Sequence, residues 1–133
     1  MRGRFPVLVL GLMALINLGR GAVHSFAPDG GAVSIAGLSL GDQGPTIVSL
    51  FATLGLGQMV MGAFQAYIVL LRRDLLGLFL GLQLATSLVA MINLYLWRPL
   101  PVLVPGQPFN IALMLLQAAA LVIALRSQTS RPD

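Results

Sequence analysis

Hydrophobic positions run along this chain in four long blocks, each broken by short polar or proline-rich stretches. A hydrocarbon layer of ~30 Å needs about 20 apolar residues per helix. The pattern therefore predicts four membrane-spanning helices, at about residues 5–26, 45–71, 75–97 and 108–125. Pro45 and Pro108 stand at the start of two of these blocks, where a helix loses no backbone hydrogen bond to proline. Only Arg72, Arg73 and Asp74 separate the second span from the third, so the two are expected to run antiparallel.

Two connecting segments, about 27–44 and 98–107, lie on the other side. The first carries Pro28-Asp29-Gly30-Gly31, a strong turn signal. Beyond it Val33, Ile35, Leu38 and Leu40 alternate with serine and glycine, which predicts a short strand-like or interfacial segment at the end of the helices. The second holds Pro99, Pro101 and Pro105, which favour an extended chain. The fold expected is all-α, a single domain over residues 1–133, built as a membrane-spanning four-helix bundle of two antiparallel hairpins.

Charge supplies the orientation. Hydrophobic residues make up 57% of the chain and charged residues 9%, and the net charge of +4 comes from arginine alone among the basic residues, with no lysine and no glutamate. Arg2, Arg4, Arg72, Arg73, Arg126 and Arg131 fall on one side of the predicted spans, Arg20 and Arg98 on the other. An excess of arginine marks the cytoplasmic face, so both termini are expected in the cytoplasm. Tyr95 and Trp97 then sit in the outer interfacial belt and Tyr67 near the inner one. Arginines confined to span ends read as topology signals rather than a nucleic-acid surface. A rival reading takes Met1 to Ala27 as a secretory signal peptide, with Ser25 and Ala27 as the small residues before the cut. Pro28 immediately after that cut disfavours it.

Side-chain amides recur in every span. In hydrocarbon, helices associate through close approach at small residues and through interhelical hydrogen bonds, because burying apolar surface gains nothing there. Gly55, Gln58, Gly62 and Gln65 share one face of the second span, Gln83, Thr86, Ala90 and Asn93 one face of the third, and Asn110, Gln117 and Ala124 one face of the fourth. Interhelical packing is accordingly assigned to Gly55, Gln58, Gly62, Gln65, Gln83 and Gln117. Depth counted from the span ends puts Gln58, Gln83 and Gln117 near the middle, Gln65 towards the cytoplasm, and Asn17, Asn93 and Asn110 towards the outside.

Asn17, Arg20 and His24 follow at i, i+3 and i+7, on one face of a continuous first helix. With Asn93, Arg98 and Asn110 they form a candidate binding cup on the outer side for a small polar or anionic head group. The competing expectation is that Arg20 and Arg98 snorkel to phosphates. A single histidine without cysteine or glutamate builds no zinc site, so no metal, no cofactor and no catalytic residue is assigned. An internal repeat is also weighed: Ala14-Leu15-Ile16-Asn17-Leu18 against Ala90-Met91-Ile92-Asn93-Leu94, with Gln58 opposite Gln117.

The run His24-Ser25-Phe26-Ala27-Pro28-Asp29-Gly30-Gly31-Ala32-Val33-Ser34-Ile35-Ala36-Gly37, followed by a long glutamine-containing span, resembles small uncharacterised bacterial four-helix membrane proteins. The resemblance implies a multi-pass protein of a bacterial inner membrane and brings no activity with it. The chain lacks the membrane-embedded glutamate of small multidrug transporters and the aromatic and hydroxyl motifs of small fluoride channels. Two functions are therefore expected: first, a non-enzymatic accessory or structural subunit of a larger membrane complex or homo-oligomer, surrounded by lipid; alternatively, a binder or carrier of a small amphiphile or lipid head group through the Asn/Arg/His cup.

Overall fold

A computed structural model of the protein describes residues 4–100 and 104–129. Arg2, Arg131 and Pro101, used above for orientation and for the second loop, lie outside the described residues. Four long helices account for most of the rest: α1 Arg4–Phe26, α2 Gly44–Leu71, α3 Leu76–Ile92 and α4 Gln107–Thr129. All four, together with the short helical turns that extend α2 and α3, are long and apolar enough to cross a membrane. Many large apolar side chains on their outer faces are exposed, Leu8, Leu15, Leu54, Leu70, Leu78 and Leu115 among them, as helices facing acyl chains require.

Helix ends follow the local chemistry. Pro45 occupies the first turn of α2, where its missing N–H costs nothing. A single 3₁₀ turn, Arg73–Leu75, carries the chain from α2 into α3, and the Arg72 guanidinium clasps the Asp74 carboxylate at 2.8 Å. At the far end of α3 the helix widens to a π turn over Asn93–Trp97, closed by the Arg98 N–H on the Asn93 carbonyl at 2.8 Å.

The strand-like segment expected at 33–40 is not a strand, and none occurs among the described residues. Residues 27–36 form consecutive tight turns instead, because Asp29 overrides the alternation. Its carboxylate accepts from the backbone N–H groups of Gly31, Val33 and Ser34 at 2.7 to 3.1 Å, which coils the chain rather than extending it. Gly30 and Gly31 take positive φ of 59° and 75°, so the turn needs them.

α1 and α2 pack most closely, in opposite directions, and two glycines make this possible. A Cβ on Gly21 would lie 2.6 Å from the Gly55 carbonyl oxygen, and one on Gly55 would lie 2.7 Å from the Gly21 carbonyl oxygen. Further along, Gly62 meets Leu18 and the Ala14 carbonyl. The packing roles expected of Gly55 and Gly62 are met against α1. α3 and α4 also pair antiparallel, and Ser87 meets Gln117 across them. α2 and α3 touch sparingly despite their three-residue link; the helices pair α1 with α2 and α3 with α4. The apolar centre, Val9, Leu10, Met13, Ile68, Leu76, Leu80, Ala120 and Ala124, draws on all four helices below the polar groups described next.

Candidate functional site

The amides do not form two layers. Asn17 Nδ2 donates to Gln65 Oε1 at 2.9 Å, and Gln65 Nε2 donates in turn to Gln83 Oε1. This chain ties α1, α2 and α3 together around the fully buried Gln65. Gln65 was expected nearer the cytoplasm than Asn17; it sits level with it, because α2 is displaced along α1 to bring Gly55 onto Gly21 and Gly62 onto Ala14. Gln58, expected in the central layer, joins no bond, and its buried Oε1 has no partner among the described residues.

Gln117 of α4 is also buried. It accepts from Ser87 Oγ at 3.4 Å and points Nε2 at Met13 Sδ at 3.4 Å. Nearer the helix ends Arg20 Nη1 donates to Asn110 Oδ1 at 3.0 Å, joining α1 to α4.

These groups surround a cavity of about 170 Å³ between α1, α3 and α4. Half of its lining is polar: Asn17, Arg20, Gln83, Ser87, Asn110 and Gln117. The remaining lining is apolar, Ile16, Met91, Leu94 and Leu113 among it. Arg20 and Ala90 are the exposed members of the lining, so the cavity opens beside them. Its size exceeds the ~150 Å³ that admits a benzene ring in an engineered apolar core.

The structure brings together half of the expected cup. Asn17, Arg20 and Asn110 line the cavity; His24, Asn93 and Arg98 do not. His24 shares the α1 face as its spacing requires, but its ring turns to the Asp29 loop. Its Nδ1–H donates to the Gly30 carbonyl at 2.6 Å, and the ring stands edge-on to Phe51 at 5.3 Å between centroids. Since a carbonyl oxygen only accepts, the proton must reside on Nδ1. Asn93 opens the π turn, where i to i+5 bonding alters the helical phase. Arg98 lies exposed just past that turn.

Residues missed from the sequence lie mostly on α3. The face expected there was Gln83, Thr86, Ala90 and Asn93; the face that lines the cavity is Gln83, Ser87, Ala90, Met91 and Leu94. Both sets have helical spacing and share Gln83 and Ala90; the cavity takes Ser87 and Leu94 in place of their neighbours Thr86 and Asn93. Thr86 satisfies its hydroxyl within its own helix, on the Leu82 carbonyl at 3.0 Å, and needs no partner across the interface. The repeat also fails to carry over to side-chain roles: Asn17 is bonded across helices and Asn93 lies off the cavity, while Gln117 is paired and Gln58 Oε1 is not.

Outside the spans, Asp29 holds a pKa lowered to about 2, from 3.8, by the Ser34 and Gly31 N–H groups first and Val33 less. No cluster of three or more His, Cys, Asp or Glu able to hold a metal occurs among the described residues. The cavity thus offers hydrogen bonds, one positive charge and an apolar wall, which suits binding. No protein-family model, curated protein or solved structure matches this chain. The resemblance read from residues 24–37 therefore brings neither a relative nor an activity.

Proposed function

We propose that this chain is a multi-pass protein of a bacterial inner membrane that binds or carries a small amphiphile in the cavity between α1, α3 and α4. In this reading the helices form a four-helix bundle of two antiparallel hairpins, with both termini cytoplasmic as the arginine distribution indicates. The observation that carries it is the cavity itself: six polar side chains facing a half-apolar space of about 170 Å³ within helices otherwise suited to lipid. Polar groups at membrane depth are costly, and a bound ligand compensates them.

The accessory-subunit reading would dock the chain through its lipid-facing surfaces and through the glycine-rich face of α2. Gly55 and Gly62 are already in contact with α1, so that face is occupied within the chain. Acid–base catalysis would rest on His24 or Asp29, and both are engaged in the loop, His24 on Gly30 and Asp29 on three backbone amides. A non-enzymatic role is part of this proposal.

Native mass spectrometry of protein extracted in mild detergent tests the reading. The wild type is expected to carry or take up single-chain amphiphiles, and Ser87→Phe, which fills the cavity, to lose them while staying folded. Absence of any bound amphiphile across neutral and anionic probes, or full binding by Ser87→Phe, would remove the cavity as the site.

A further inference from the structure

We propose that the cavity selects amphiphiles with an anionic oxygen head group, a carboxylate or a phosphate, gripped by Arg20 and Asn110 at its mouth with the chain against Ile16, Met91, Leu94 and Leu113. This selectivity presupposes the amphiphile-binding role proposed above.

The donor inventory at the mouth is fixed by geometry. A guanidinium has five N–H donors and no acceptor. Arg20 spends one of them on Asn110 Oδ1 at 3.0 Å and forms no ion pair with a carboxylate among the described residues. Because Arg20 can only donate, it also sets the Asn110 amide: Oδ1 faces the guanidinium, and the Nδ2 hydrogens form no hydrogen bond among the described residues. The mouth therefore presents N–H groups and a positive charge, and the Asn110 acceptor beside them already faces Arg20.

The rest of the lining agrees. No Asp or Glu lines the cavity, so Arg20 gives it a formal charge of one positive unit. Deeper inside, Gln83 has its oxygen engaged by Gln65 and so turns its Nε2 hydrogens free of that bond. A neutral head would leave the Arg20 charge without a counter-ion, and a cationic head would meet Arg20 without any Phe, Tyr or Trp in the lining to offer cation–π stabilisation. Charge-assisted hydrogen bonds to carboxylate or phosphate are about twice as strong as neutral ones, and arginine is the side chain that makes them in pairs.

Binding of radiolabelled oleate, dodecyl phosphate and neutral monoolein to the full chain in phosphatidylcholine nanodiscs tests this. Oleate and dodecyl phosphate are expected to bind at least about tenfold more tightly than monoolein, the factor that one charge-assisted bond confers. Arg20→Gln should weaken both anions at least about tenfold and leave monoolein within about twofold, whereas Arg98→Gln, outside the cavity, should change none of them. Asn110→Asp, nearly the same shape, should pair with Arg20 and expel the anions even if Arg20→Gln does not fold. Competition with sodium phosphate separates the sources: displacement of oleate shows that the head alone is recognised, and its failure shows that the chain is required, both with anion selectivity intact. Monoolein binding as tight as oleate, or oleate binding undiminished in Arg20→Gln or Asn110→Asp, overturns the selectivity while leaving amphiphile binding standing. If none of the amphiphiles binds the wild type, both fall together.

Discussion

Asn17 and Gln65, 48 residues apart, meet at 2.9 Å, with the Asn17 amide donating to the Gln65 carbonyl oxygen. That bond, continued from Gln65 to Gln83, follows from the register of α1 against α2, and both Asn17 and Gln83 line the cavity. It also joins groups that depth counting along each span had assigned to opposite halves of the membrane.

The Asn17–Gln65 pair should show measurable coupling. In a double-mutant cycle of Asn17→Ala and Gln65→Ala, the interaction energy is expected at ~0.6 to 2 kcal/mol, the range for interhelical amide bonds in membranes. Reversible unfolding in mixed micelles measures it. Additive effects of the two substitutions would mean that the bond does not form.

Gln58 predicts the opposite behaviour. Its buried Oε1 has no partner, so Gln58→Leu removes an unsatisfied polar atom. The variant should be neutral or more stable by up to ~1 kcal/mol, since orphaned buried polar groups are costly. A clear loss in the same unfolding assay would show that Gln58 is bonded after all.

Gly21 and Gly55 should tolerate no side chain. Either changed to alanine puts a Cβ 2.6 to 2.7 Å from a facing carbonyl oxygen, and the helices must part. A loss of ~1 to 3 kcal/mol is expected, the usual cost of overpacking. Gly57→Ala, with nothing within 4 Å of the new Cβ, serves as the control and should lose no stability. Thermal unfolding of the three variants side by side decides it.

The Asp29 turn should be acid-sensitive with a defined sign. Its folded pKa, about 2, lies below its ordinary 3.8, so the carboxylate stabilises the turn above pH 3.8, and that contribution fades as pH falls from there through about 2. Carbon-13 NMR titration of the Asp29 carboxyl should show a midpoint near 2. A midpoint near 3.8 would mean that the amides of Gly31, Val33 and Ser34 are not held on it.

Much of this architecture could be read one helix at a time. The spans expected at 5–26, 45–71, 75–97 and 108–125 match helices that begin within one residue of those starts. Helical periodicity also placed Gly55, Gly62 and Gln65 on one buried face of α2, and Asn110, Gln117 and Ala124 on the inner face of α4. The site was half legible: Asn17, Arg20 and Asn110 were named from spacing and line the cavity, whereas Ser87, Met91 and Leu94 were passed over for Thr86 and Asn93.

What the amino-acid order settles on its own is hydrophobic length, helix ends and the angular position of each side chain around its own axis, because these depend on contacts within a few residues. How far one helix slides along another, and by how much it rotates, depends on where backbones can touch. Gly21 against Gly55 makes that choice for α1 and α2, and a partial rotation that brings in Ser87 instead of Thr86 makes it for α3. Those two offsets bring Asn17 to Gln65, leave Gln58 alone and turn six polar side chains onto one cavity, which no periodicity within a single helix specifies.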